Sequence, residues 1–215
     1  MSGVPLCGNL WAFRRDEFDL LEEAFEDTME RHEMGRGKKH ACEAIVIREQ
    51  EASEKASEAE LTARLGVGWQ EVSEGPCHVH GHEESLKSLR ERVQEGVRHP
   101  LYLQSLTWCL PLQRWSEAAY AKKPQTDLYR ILLNAPLIPI KIFFALCEEE
   151  HDDRFAPDVA EREYALAQTS AERILEALVR LQAAGYLPAS SDPAQKMGRN
   201  LIQSLAECRR RLRRL

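Results

Sequence analysis

Apolar side chains along this chain recur mostly three and four residues apart, the spacing that gathers them on one face of an α-helix. Between Arg14 and Met34, Phe18, Leu21, Ala24, Phe25 and Met29 keep that spacing with Asp and Glu between them, which predicts an amphipathic helix. Gly35-Arg36-Gly37-Lys38-Lys39 ends it, because glycines weaken a helix and favour a turn. A second helix is expected over roughly 41–65, richer in Glu and Ala than in large apolar residues, with Glu49 to Glu60 facing water. From Gly66 to Glu84 the glycines, a proline and Cys77-His78-Val79-His80-Gly81-His82 read as loop with room for a short strand, Cys/His-rich over 75–84. Leu86, Leu89 and Val93 restore a helical pattern that stops before Pro100, since proline pushes its predecessor out of the helical region. Leu103, Leu106, Trp108, Leu110, Leu112 and Trp115 surround Pro111 and predict two short buried helices meeting at that proline.

The second half opens on an apolar helix with Leu128, Ile131 and Leu132, continuing through Pro139 to Cys147, and then a polar turn from Glu148 to Arg154. A short helix is expected from Pro157 to Tyr164, a turn at Ala165-Leu166-Ala167-Gln168, and a further helix from Thr169 to Leu181. Thr169 or Ser170 is placed to cap that last helix, and Gly185 to end it in the left-handed conformation. Ile140, Phe143, Phe144, Ile174, Leu178 and Leu181 are the expected core of this part. Met197, Leu201, Ile202, Leu205 and Cys208 keep helical spacing up to the closing run of arginines. The pattern is all-α or nearly so. It divides into an N-terminal helical bundle over 1–126, a compact unit over 127–190 and a basic C-terminal helix over 191–215.

Composition changes this picture little, with 43% hydrophobic and 30% charged residues, an ordinary balance for a chain that folds. The six cysteines are scattered, and the first residues lack a basic-then-apolar leader, so reduced thiols in a cytoplasmic protein are expected. The longest apolar stretch, Ile131 to Cys147, is interrupted by Asn134, Pro136, Pro139 and Lys141, so it is expected to be core and not a membrane span.

Charge distribution matters more than the net charge of −6. Residues 1–100 carry −8, residues 101–194 carry −4, and residues 195–215 carry +6. Most of the surface would repel a polyanion, which leaves the tail as the natural place for phosphate contact.

Val159-Ala160-Glu161-Arg162, Thr169-Ser170, Arg173-Ile174-Leu175, Leu178, Leu181 and Ala184-Gly185-Tyr186-Leu187 together resemble the core of the winged helix-turn-helix superfamily, in particular MarR-like and ArsR-like regulators. The resemblance covers 127–187. It implies that the second helix of the motif enters the major groove, with Thr169, Ser170, Glu172 and Arg173 at the reading positions and Arg180 on the same helix. Pro188-Ala189-Ser190-Ser191-Asp192-Pro193 has little strand character, so the wing is expected to be reduced. Glu172 and Glu176 balance Arg173 and Arg180, a neutral surface where a DNA reader is commonly basic.

Candidate chemistry is sparse elsewhere. Cys77, His78, His80 and His82 concentrate thiolate and imidazole, the donors zinc prefers, and His78, His80 and His82 would share one face of an extended segment. Glu148 and His151 have the Glu-x-x-His spacing of carboxylate-bridged metal sites, but a single copy at a helix end in a charge run reads as a solvated turn. Without a Gly-rich phosphate loop, a Gly-x-Ser-x-Gly elbow or a His-Glu-x-x-His helix, no enzyme is expected. The leading expectation is a DNA-associated regulator in which Thr169, Ser170, Arg173 and Arg180 read bases. Arg209, Arg210, Arg211, Arg213 and Arg214 would hold phosphates. The alternative is a helical adaptor or subunit whose 127–187 unit binds protein, with a protein partner or homodimer and no membrane. A third is a zinc-dependent helical protein.

Overall fold

A computed structural model of the chain describes residues 41–65, 98–150, 154–187 and 192–214. The expected helix over 14–34, the expected helix from Glu84 as far as residue 97, the Cys77–His82 segment and residues 188–191 of the expected wing lie outside the described residues. Five helices, and no strand among the described residues, make up the structure: α1 Ala41–Leu65, α2 Pro100–Lys122, α3 Thr126–Glu149, α4 Ala156–Ala183 and α5 Asp192–Leu212. The expected all-α class is what is found.

Helix α3 packs against α2 on one side and α4 on the other, α5 closes the ring by touching both α4 and α2, and α1 rests on α3 and α4. Short connections between packed neighbours make successive helices of this four-helix ring antiparallel. One apolar core runs from Leu101 to Leu212 through all four, with Leu106, Ile131, Ile138, Tyr164, Ile174, Leu178 and Leu201 inside it. The core thus crosses positions 126 and 127, where a boundary was expected. Val46 and Ile47 of α1 form a smaller cluster with Tyr129 and Leu133 of α3. Of the expected core residues, Ile140, Phe143, Ile174, Leu178 and Leu181 are buried, whereas Phe144 is among the exposed large apolar side chains.

Two local expectations are corrected. Leu101 to Ala121 is one helix, not two: Pro111 lies within α2 on its exposed side while Leu106, Trp108, Cys109 and Leu112 are buried. Proline removes one backbone bond and crowds the preceding turn, at a cost of about 3 kcal/mol, less than burial of several large side chains returns. Pro136 and Pro139 are likewise inside a continuous α3, held between α2 and α4. This helix is long and apolar enough to cross a bilayer by length and composition, and 72% of its apolar window is buried within the fold.

The second correction concerns the helix-turn-helix. Residues 156–183 form a single helix of 28 residues, so the turn expected at Ala165 to Gln168 is absent. Ala160, Tyr164, Ala167, Ala171, Ile174, Leu178 and Leu181 alternate steps of four and three without a break, and all are buried. Ala, Leu and Gln are good helix formers and nothing between Tyr164 and Thr169 interrupts the stripe. Helix α4 begins with Pro157 in its first turn and ends in a Schellman motif: Gly185, with φ of 75°, donates to Gln182 O, and Tyr186 N donates to Leu181 O. The expected role of Gly185 holds. On the opposite side of the ring, the Trp108 indole donates to Ala194 O at 2.8 Å. Gly198 lies so close to Trp108 and Leu175 that a Cβ there would collide with both.

Candidate functional site: an arginine-lined cleft between α1, α3 and α4

The residues nominated on the Thr169–Leu181 segment meet different fates. Ser170 is 3% exposed and faces the core. Thr169 caps nothing: its Oγ1 donates to Ala165 O at 3.0 Å within the helix, a local bond open to any mid-helix threonine. Thr169, Glu172, Arg173 and Arg180 do line a common cleft of about 550 Å³, together with Asp127 and Arg130 of α3 and Glu49 of α1.

Inside the cleft the charges answer one another. Arg130, 9% exposed, makes a two-pronged contact with Glu49, Nε to Oε2 at 2.9 Å and Nη2 to Oε1 at 2.7 Å. Its Nη1 donates to Asp127 Oδ1 at 2.5 Å. Arg180 reaches the same Asp127 oxygen at 2.9 Å, which holds its guanidinium more firmly protonated than usual, and it pairs with Glu176 at 3.4 Å. Such charge-assisted, planar contacts are the strong end of protein hydrogen bonding. Arg173 is bound differently. Its Nη1 donates to Gln50 Oε1 at 2.7 Å and its Nη2 to the backbone oxygen of Glu49 at 2.8 Å, both acceptors without formal charge. Burial, the largest influence on it, pulls its pKa down, and nearby Glu49 only partly opposes this.

A second cluster joins the other end of α1 to the basic tail. Glu161 of α4 is 3% exposed. Arg209 Nε donates to its Oε1 at 2.8 Å, Arg213 Nη2 lies 2.8 Å from the same oxygen, and Arg64 Nη1 donates to its Oε2 at 2.9 Å. Arg64 also pairs with Asp158. Burial alone would raise the Glu161 pKa, but the guanidiniums of Arg209, Arg64 and Arg213 outweigh it and hold the carboxyl below its ordinary value. Arg209 bonds Gln168 at 3.0 Å as well, and Arg211 pairs with Glu149, which also accepts from the Tyr164 hydroxyl at 2.6 Å. Arg210 stays exposed with Glu207 at 3.9 Å, and Arg214 is exposed at the end of α5.

Of the seven arginines nominated for nucleic acid, Arg173, Arg180, Arg209, Arg211 and Arg213 therefore face acceptors within the fold. Glu49, Asp127 and Arg130 organise one cluster and Glu161 the other; none was nominated as a site residue from sequence, and Glu161 entered only through the resemblance. Asp127 and Arg130 carried a usable signal, because charges on an otherwise apolar helix need partners once buried. Among the described residues no group of three or more His, Cys, Asp or Glu could hold a metal ion. Cys77, His78, His80, His82 and His151 lie outside those residues. In comparison with known proteins, the chain matches no family model, no curated protein and no solved structure.

Proposed function

We propose that the chain is a helical adaptor, a subunit that binds protein through helix surfaces and does not read DNA. The observation that supports this most is the inward engagement of the arginines. A phosphate approaching Arg209 or Arg213 competes with the buried carboxylate of Glu161, and one approaching Arg180 or Arg211 competes with Asp127 or Glu149. Separating a buried charge pair leaves the other charge uncompensated and is strongly unfavourable. An uninterrupted α4 also has no helix N-terminus at Thr169 to present to base edges. A rigid ring of long helices with a largely charged exterior is a common scaffold for displaying a binding face.

The discriminating experiment is a titration with duplex DNA at about 50 mM salt, where electrostatic association is strongest. No binding above the micromolar non-specific range is expected from either the parent or an Arg210→Gln/Arg214→Gln variant. Salt-dependent binding that the variant loses would return the chain to the DNA-associated class. Cross-linking followed by reconstitution from two purified components then identifies the protein partner.

A further inference from the structure

Helix α1 is held to the ring unlike the other four helices. Its described buried apolar side chains are Val46, Ile47 and Leu61, and residues 51–60 include no buried side chain. Most of its grip is polar: Glu49 on Arg130, the Gln50 side chain and Glu49 carbonyl on Arg173, and Arg64 on Asp158 and Glu161.

We propose that α1 occupies a docking groove on α3 and α4 whose other occupant is an acidic amphipathic helix of the partner, exchanging with α1. The inference rests on the adaptor reading and names the chemistry of its partner. A helix fits the groove when it brings apolar side chains to the Val46 and Ile47 places over Tyr129 and Leu133, another to the buried Leu61 place, and carboxylates to the Glu49 and Gln50 places.

Four features favour exchange. Arg173 is half-buried on acceptors that carry no charge, so a carboxylate in the Gln50 place makes an ion pair where α1 makes a bond from a cation to a neutral amide. Gln50 Nε2 also donates to Glu54 at 2.9 Å, so α1 carries a carboxylate one turn on that would repel a second at position 50. An incoming helix without an acid there is free of that conflict.

Departure of α1 also leaves no buried carboxylate stranded. Glu161 loses Arg64 but keeps Arg209 and Arg213, and Asp127 keeps Arg130 and Arg180. Beside α1 the open cleft at Thr126, Thr169, Glu172 and Arg180 gives an approaching chain a place to begin.

The test uses the full chain and two synthetic peptides spanning residues 41–65. One carries Glu54→Ala, the other Gln50→Glu together with Glu54→Ala. Fluorescence anisotropy is expected to show the second binding about tenfold more tightly, the difference between an amide and a carboxylate as acceptor for the same guanidinium. An Arg173→Gln chain should lose that preference. Hydrogen exchange should show amides of 41–65 in the chain exchanging faster when peptide is bound, while 170–181 stay protected. Equal affinities, no binding at all, or binding that leaves exchange in 41–65 unchanged would each overturn the proposal. The adaptor reading stands apart from these outcomes, because it is decided by the DNA titration.

Discussion

Replacing Glu161 with Gln removes one negative charge and almost no volume from the point where α1, α4 and α5 meet. Its carboxylate accepts from Arg64, Arg209 and Arg213 while being 3% exposed. Removing one member of a buried charge cluster commonly costs 3 to 5 kcal/mol, because the remaining charges lose their compensation. Here the side chains of Arg64 and Arg213 are 33% and 54% exposed, so they recover some hydration, and Gln keeps one acceptor. The expected loss is about 2 to 4 kcal/mol at neutral pH. In urea this moves the unfolding midpoint down by roughly 1 to 2 M for a slope near 2 kcal/mol/M.

The pH dependence gives a second, independent signature. The Glu161 pKa is held below the usual 4.5 in the folded chain, so its stabilising contribution is full above that value. The contribution fades as pH falls through the folded pKa. The gap between parent and variant should therefore be constant near neutrality and narrow on acidification below 4.5. A neutral-pH loss under about 0.5 kcal/mol, or a gap that stays constant into acid, would refute the cluster as described.

Leu178→Ala should destabilise the chain by about 2 to 5 kcal/mol, since Leu178 is buried in the shared core, and calorimetry or urea melts would show it. Truncation after Cys208 should lower stability and loosen α4, because Arg209, Arg213 and the buried Leu212 go with it; a truncated chain as stable as the parent would contradict this. Cys109, fully buried and with its thiol pushed up by burial, should resist a thiol reagent until the chain unfolds, while half-buried Cys42 reacts earlier.

Helix content, the identity of most core residues and the end of α4 were legible in the sequence, because all three depend on local spacing. Gly185 is the clearest case: a left-handed residue is needed after Ala184, and glycine takes it without strain. The turn before Thr169 was misread for an equally local reason. Thr and Ser favour helix starts, but the apolar stripe Tyr164, Ala167, Ala171, Ile174 runs straight past them, and burial of that stripe outweighs a capping preference worth about 1 kcal/mol. Pro111 deceived in the same direction, since packing of α2 on α3 and α5 holds the helix through it. Helix α1 was legible in extent but not in the fate of its acids, because what Glu49 and Gln50 face is set by α3 and α4.

The same dependence on distant partners governs how a run of arginines is to be understood. Arg209, Arg210, Arg211, Arg213 and Arg214 supply most of the +6 charge of residues 195–215, and counted along the chain this is a surface for polyanions. Folding redistributes it. Positions 209 and 213 lie one turn apart and so project together onto Glu161, while Arg211 reaches Glu149. Arg210 and Arg214, also one turn apart, project to solvent. A basic helix thus splits into an inner face that ties α5 to the acids of α3 and α4 and an outer face that remains for others. The inner face is what anchors the chain's end to the ring, and the buried acid on α4, more than the number of arginines, determines how much positive charge is left to meet a partner.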